Sequence, residues 1–348
     1  MRIGIAGAGV IGRLRARTVI DNPGTTLAAV FDPSREAALM AAKGSGAQVV
    51  TSMAAFFQSD LDAVIVSSPV HYHEEICLGA FDTGRHVLCD KPLSNSVGSC
   101  RKIVQRAQET RKALAVGFNV RYYPSMKFVK DVVDSGRIGA IDHVRIVAGH
   151  DGLANFRADW QFRAPESGGG ALMDIGIHAT DLVGYLLGDI THVFGVASES
   201  VWQVAGSEDN AIAVLRNANG IPASYHATWI EWTGYRMVIE AYGNLGMVRG
   251  SYAPMRNLLI TQDRPGGARR TMRKLYPEVM VREKLFSWEA TALTSFQEEL
   301  QDFVAMTNGR PHGRLADGSA GLRAVEVAEA VRQSGASGQS VSLPLFSG

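Results

Sequence analysis

The run Ile3-Gly4-Ile5-Ala6-Gly7-Ala8-Gly9-Val10-Ile11-Gly12 constrains this chain more than any other stretch. An apolar strand leads into three glycines spaced Gly-x-Gly-x-x-Gly, and a helical segment over about 10–20 follows. Each glycine then has a mechanical task. The first permits a tight turn, the second lets backbone approach a pyrophosphate, and the third lets helix and strand pack closely. The N–H groups at the helix start face the phosphates. With 37 glycines in the chain, one such match can be chance, so its weight comes from context. Leu27-Ala28-Ala29-Val30-Phe31-Asp32 is a second apolar strand, and Asp32 lies 20 residues after Gly12. A carboxylate there accepts hydrogen bonds from the adenosine ribose. NAD is therefore the expected cofactor, held by Gly7, Gly9, Val10, Ile11, Gly12 and Asp32. NADP is the alternative, because Arg35 is placed to pair with a 2′-phosphate if Asp32 turns away. Asp32-Pro33-Ser34 also reads as a turn and helix cap.

The alternation continues, with strands over 63–66, 86–89 and 113–116 and helices over 73–81 and 96–110. Repeated βα units mean a doubly wound parallel sheet with ligand at the carboxyl ends of its strands. Ser67-Ser68-Pro69 leaves one strand end and Asp90-Lys91-Pro92 another, so Lys91 falls where substrate and cofactor meet; the alternative is a solvated loop lysine. His71 and His73 have no third ligand nearby, so helix capping or cofactor contact is expected of them and no metal.

A chain of 348 residues is too long for one ordinary core, so two domains are the default. A net charge of +1 gives no reason to expect nucleic acid or an anionic membrane as partner. Cys77, Cys89 and Cys100 show no framework spacing, which suits reduced thiols in a cytoplasmic protein. The N-terminus has no signal-peptide pattern, and no stretch reaches the roughly 18 apolar residues of a membrane span.

Farther on, Gly168-Gly169-Gly170 opens a segment whose apolar residues Leu172, Ile175, Leu182 and Leu186 recur at helical spacing. A buried helix is expected over 171–187, closed by Gly188. Asp174 and His178, four apart, then share a face. A carboxylate that orients an imidazole suits proton transfer; a surface pair on a capped helix is the alternative.

Taken together, Gly-x-Gly-x-x-Gly, the Pro69-x-x-x-His73 strand exit, Asp90-Lys91-Pro92 and the glycine-led Asp174/His178 helix resemble the Gfo/Idh/MocA oxidoreductases. These are relatives of glucose–fructose oxidoreductase and inositol dehydrogenase. The likeness spans nearly the whole chain, although Asp90 stands where the family usually has Glu. It implies that Lys91, Asp174 and His178 are the catalytic set. It adds Ser67, Pro69, His73, Asp90 and Lys91 to the cofactor contacts. Around Lys91, Asp174 and His178 it places Asn119, Arg121, Tyr122, Trp160 and Arg163 as substrate contacts. For Arg121 an interface salt bridge is the alternative, and for Trp160 and Arg163 an aromatic-anchored loop. The implied activity is NAD(P)-dependent hydride transfer to or from a sugar, sugar acid, cyclitol or related polyol. Arg121, Arg157 and Arg163 would permit an acidic sugar.

The expected architecture is α/β. A Rossmann domain occupies 1–121, and an α+β domain with a large open, mostly antiparallel sheet occupies 122–348. The family likeness implies that the last helix, over about 318–333, packs back on the first domain. Strands are expected over 141–148, 193–201, 211–215, 223–231, 236–242 and 247–249, and a basic loop over 264–274. Trp202, Tyr225, Trp229 and Trp232 suggest that the outer sheet face is covered, hence a homo-oligomer, dimer or tetramer, built through that sheet. Two other functions fit the same motifs. A glycosidase using transient oxidation would release sugar without net NADH. A dinucleotide-binding sensor would have no need of Lys91, Asp174 and His178 together.

Overall fold

Short apolar runs that end in glycine or a small polar residue become parallel strands. They are β1 (Arg2–Ala6), β2 (Thr26–Phe31), β3 (Gln48–Val50), β4 (Ala63–Val66), β5 (His86–Asp90) and β6 (Leu114–Gly117). The structure is a computed structural model that describes residues 1–152, 158–311 and 313–345. The backbone divides into two units, Met1–Tyr122 with Phe286–Leu322, and Tyr123–Leu285 with Arg323–Gly348.

Among the described residues the first unit has one sheet, ordered β3-β2-β1-β4-β5-β6 and ending on the short strand Ala316–Asp317. The pairs from β3 to β6 are parallel, and Ala316–Asp317 is antiparallel to β6. Strands buried on both faces carry continuous apolar runs, which β4 and β6 show. The order reverses between β1 and β4, the switch point at whose carboxyl ends such sheets bind ligands. The doubly wound expectation is borne out. β3 was not expected, because three residues are too few to show a period.

The helix Glu289–Thr307 also belongs to this unit, although the sequence-based boundary had put it in the second domain. Leu300 and Phe303 join the core formed by Ile3, Ile5, Val30 and Leu88. Glu299 lies fully buried one residue away, and its Oε2 accepts from Arg15 Nη1 at 2.5 Å. The helix Gly318–Ser337 starts in the first unit and continues in the second. A side chain at Gly318 or Gly321 would strike Leu114 or Val116 of β6, so its first turn lies close on that strand.

In the second unit the described strands are β7 (Ile141–Gly149), β8 (Ile190–Ser198), β9 (Asn210–Asn217), β10 (Pro222–Thr228), β11 (Arg236–Gly243), β12 (Gly246–Tyr252), β13 (Arg256–Thr261) and β14 (Arg270–Leu275). Their order is β14-β13-β12-β11-β7-β10-β9-β8, with the short Val341–Ser342 beyond β8. Every pair is antiparallel except β7 with β10. The expected open, mostly antiparallel sheet is therefore present, but the basic loop over 264–274 is corrected: from Arg270 it is strand. Its residues are all exposed and rich in Arg and Lys, which suits an edge that must not pair with another chain.

The aromatic argument for a covered face is also corrected. Tyr225 and Trp229 are buried within the unit, while Trp232 is 75% exposed. A different set forms an outer apolar surface. Phe194 sits opposite Val214 and Val196 opposite Ile212 across β8 and β9, and all four are about half exposed. Among the described residues no helix is long and apolar enough to cross a membrane. Nor is any group of three or more His, Cys, Asp or Glu placed to hold a metal ion.

Burial pushes the Glu299 carboxyl up to about 7; Arg15 draws it down, Asp90 pushes it further up and Arg121 draws it down. No hydrogen bond reaches its Oε1. The folded pKa lies above the unfolded one, so the folded state holds the extra proton. Its contribution to stability is complete below pH ~4.5 and is lost as pH rises through ~7. Glu299→Gln removes this titration. In urea unfolding, the stability of Glu299→Gln relative to wild type should rise by about 2 kcal/mol between pH 5 and pH 8. A pH-independent difference would refute it.

Candidate active site

At the end of β1 the glycine turn has the form its spacing predicts. Gly7 has φ +98°, and a Cβ there would lie 2.6 Å from the Ser67 backbone. A Cβ on Gly12 would lie 1.9 Å from the Gly7 carbonyl oxygen, so helix and strand touch at that point. At Gly9 a Cβ would meet nothing within 4 Å. The helix Val10–Asp21 starts there with no side-chain cap, and Val10 and Ile11 occupy its first turn. Space above the second glycine and uncapped N–H groups fit a pyrophosphate.

Asp32 leaves the end of β2 beside this turn. Its Oδ2 accepts from Ala8 N at 2.8 Å and its Oδ1 from Ser34 N at 2.8 Å. The carboxylate is fixed at both oxygens, and each oxygen keeps acceptor capacity for a ribose hydroxyl. Ser34 caps the helix Arg35–Ala42, which puts exposed Arg35 in its first turn. The expected turn and helix cap are therefore present.

Two further strand exits are cross-linked. Ser67 Oγ, after β4, donates to Asp90 Oδ2 at 2.6 Å. Asp90 Oδ1 accepts from Arg15 Nε at 2.9 Å and Nη2 at 2.5 Å. His73 is buried, and its ring nitrogens lie 2.9 Å from the Ser68 carbonyl oxygen and 3.0 Å from that of Pro92. Burial holds its pKa below the ordinary value. The ring therefore joins the Ser67-Ser68-Pro69 exit to the Asp90-Lys91-Pro92 exit. Pro69 and Lys91 are half-buried on these two segments. The structure thus gives Asp90 and His73, expected at the cofactor, internal partners.

The segment after β6 behaves similarly. Asn119 Nδ2 donates to Ser295 Oγ at 2.9 Å, Arg121 Nη1 to the Arg314 carbonyl at 3.2 Å, and Tyr122 OH to Asp302 Oδ2 at 2.8 Å. All three are buried, and burial raises the Tyr122 phenol far above its usual range. These hydrogen bonds go to other groups of the first unit, on or after the helix Glu289–Thr307.

In the second unit the triple glycine has two explanations. Gly168 (φ +82°) ends the short helix Ala164–Ser167, and a Cβ on Gly170 would lie 2.2 Å from the Glu208 carbonyl oxygen. Glu208, from the segment before β9, accepts with Oε1 from Gly170 N at 3.1 Å and Leu172 N at 2.9 Å. It thus supplies from a distance the cap that glycine cannot. Arg332 donates to the Gly168 carbonyl at 2.9 Å. The expected single helix over 171–187 is two pieces, Ala171–Asp174 and Gly176–Leu187, with Gly188 at the end.

Asp174 is half-buried at the joint and His178 is buried one turn on. Asp174 Oδ2 takes hydrogen bonds from His150 Nε2 at 2.9 Å and Trp229 Nε1 at 3.0 Å. Gly152 N donates to His150 Nδ1 at 3.1 Å, which makes Nδ1 the acceptor and puts the ring proton on Nε2, facing the carboxylate. These partners meet because β7 and β10 run parallel, so their ends leave the sheet side by side; His150 N also donates to the Thr228 carbonyl at 3.1 Å. Trp160 is half-buried on the turn Asp159–Phe162, and exposed Arg163 forks onto Glu166. Arg157 lies outside the described residues.

Reasoning from sequence missed His150, Trp229, Glu208, Arg15 and Glu299. A histidine closing a strand was a visible signal for His150. The rest depend on which distant strands pair, and no local pattern carries that.

Residues 1–118 match the oxidoreductase family with an NAD-binding Rossmann fold, and residues 126–249 match the GFO/IDH/MocA C-terminal domain. Inositol 2-dehydrogenase of Rhizobium meliloti (strain 1021) is 30% identical over 252 residues, covering 71% of this chain and 74% of the relative. 1,5-Anhydro-D-fructose reductase of Ensifer adhaerens is 28% identical over 354 residues, covering 98% of each. A levoglucosan dehydrogenase solved with NADH and L-sorbose superposes with a TM-score of 0.86 at 22% identity, covering 99% of each chain, a likeness of fold.

The glycine geometry makes opposite forecasts for two neighbouring substitutions. Gly12→Ala should lower Tm by at least about 4 °C, because a backbone carbonyl must move. Gly9→Ala should leave Tm within about 2 °C. Equal shifts in a thermal melt would refute the packing assignment.

Proposed function

The chain belongs to the Gfo/Idh/MocA oxidoreductase family, and from that premise we propose that it moves a hydride between nicotinamide and the CH–OH carbon of a sugar, sugar acid or cyclitol. The observation that carries this reading is a carboxylate, Asp174, pre-oriented by two N–H donors one turn before a buried imidazole, His178. The names of the relatives support the substrate class: inositol for one and an anhydro-sugar for another.

Bound nicotinamide supplies the hydride acceptor or donor. The chain's own groups do the rest. In the oxidative direction His178 takes the hydroxyl proton as general base, and Asp174 stabilises the cation that forms. Holding Asp174 in place is the task of His150 and Trp229. Lys91 is the first unit's donor to a substrate oxygen and favours developing negative charge there. Trp160 offers a flat apolar face, and exposed Arg163 can offer a fork to hydroxyls only by giving up Glu166. Asp32, tied to Ala8 and Ser34, cannot swing aside without losing two hydrogen bonds, which favours NAD over a cofactor bearing a 2′-phosphate.

The test is a thermal-shift screen of NAD and NADP, each crossed with inositols, anhydro-sugars and uronates, followed by turnover on the best pair. NAD should raise Tm more than NADP. His178→Ala should lower turnover by roughly 100- to 10,000-fold with NAD affinity retained; unchanged turnover would sink the assignment.

The apolar face of β8 and β9 supports a dimer or tetramer formed through this sheet. Light scattering at micromolar concentration should show an oligomer that Val214→Glu shifts toward monomer. A monomeric wild type would reject it.

A further inference from the structure

Arg15 is the largest fully buried side chain of the described residues, and it has no part in the hydride chemistry above. It lies on the helix Val10–Asp21, and its guanidinium spans two carboxylates. Nε and Nη2 donate to Asp90 Oδ1, and Nη1 donates to Glu299 Oε2 at 2.5 Å. Its outer face lies 3.8 Å from the centre of the Phe296 ring. Space has been left for this pair: a Cβ on Gly117 would lie 2.5 Å from Arg15 Nη2 and 2.7 Å from Asp90 Oδ1. Asp90 Oδ2 is taken by Ser67. One residue on from Asp90 is Lys91.

We propose that Arg15 is a positioning residue for Lys91, acting through Asp90. Asp90 ends β5, where successive side chains leave on opposite sides. Pinning the Asp90 carboxylate on the side of the helix Val10–Asp21 fixes the direction in which Lys91 leaves the strand. The pin also sets charge. With Arg15 in place, the negative charge nearest to Lys91 along the chain is neutralised. Without it, Asp90 draws the Lys91 ammonium toward itself and holds its proton more tightly. Glu299 and Phe296 keep the guanidinium from turning. The other ionisable groups of this cluster are Arg121, Tyr122 with Asp302, and His73 beneath the Lys91-Pro92 segment.

The inference rests on the proposed role of Lys91, so the test separates the two. Amine labelling by acetic anhydride across a pH series, read by mass spectrometry at Lys91, needs no substrate. In Arg15→Met the labelling midpoint should move up by about half a pH unit or more. In the double variant Arg15→Met/Asp90→Asn it should return to the wild-type value. Where Arg15→Met does not fold, Asp90→Asn replaces it, with the midpoint lowered because the Arg15 cation then stands without its nearer carboxylate. A folded Arg15→Met with an unmoved midpoint, or a shift that the Asp90→Asn change does not reverse, overturns the proposal. On the best substrate pair, turnover of Arg15→Met should fall by about tenfold or more while KM for that substrate changes less. Full turnover in Lys91→Met would instead remove the reading of Lys91 and leave the labelling result standing.

Discussion

A buried guanidinium holds together the carboxyl ends of the first sheet. Taking Arg15 out of water is tolerable only because two carboxylates and an aromatic face surround it. The consequence is topological. Arg15 and Glu299 are 284 residues apart in sequence, so this pair closes the late helix Glu289–Thr307 onto the unit formed by the first third of the chain. Burial moves Glu299 toward neutral pH, and the Asp90 carboxylate that shares its cation adds to the shift. The same cluster touches the helix after the glycine turn, the exit of β4 through Ser67 and the exit of β5 through Asp90. Three parts of a candidate cofactor and lysine site are thereby linked within this unit.

How far the sequence exposed all this depends on the range of the interaction. The glycine turn was legible because its shape is set within a dozen residues: Gly7 takes a positive φ, Gly9 stays open and Gly12 meets Gly7, and only the close approach of Gly7 to Ser67 is long-range. The parallel strands were legible because burial on both faces leaves continuous apolar runs. The late helix was not legible as part of the first unit, since nothing in its own period says which core Leu300 and Phe303 will join. Strand β14 was hidden for a related reason. An edge strand is built of the charged residues that otherwise mark a loop, and Arg270–Leu275 buries no side chain that would show a period.

The candidate site in the second unit shows the same limit from the other side. Asp174 and His178 stand out in the sequence as an i,i+4 pair, yet Asp174 takes hydrogen bonds from the ends of two strands, at His150 and Trp229. Those ends are neighbours only because β7 and β10 form the one parallel pair of an otherwise antiparallel sheet. A helix break at Ile175 accompanies this arrangement, and the glycine-led start is fastened by Glu208 and Arg332 from elsewhere in the fold. Local pattern named the two chemical groups; long-range pairing supplies the rigidity that a proton-transfer site needs.

Substrate recognition is narrowed by what the first unit has already committed. Asn119, Arg121 and Tyr122 look from sequence like ligand contacts at a domain crossing, but each sends a polar group to the late helix or the segment after it. Asp90 and His73 are likewise engaged internally. Groups so engaged would have to break buried hydrogen bonds to meet a substrate, a cost of about 1–3 kcal/mol each. Of the residues expected to act on a hydroxyl, Lys91 is then the first unit's principal contribution. In the second unit, the candidates for contact with a substrate are the surroundings of Asp174 and His178 and the half-buried Trp160 of the turn before the triple glycine.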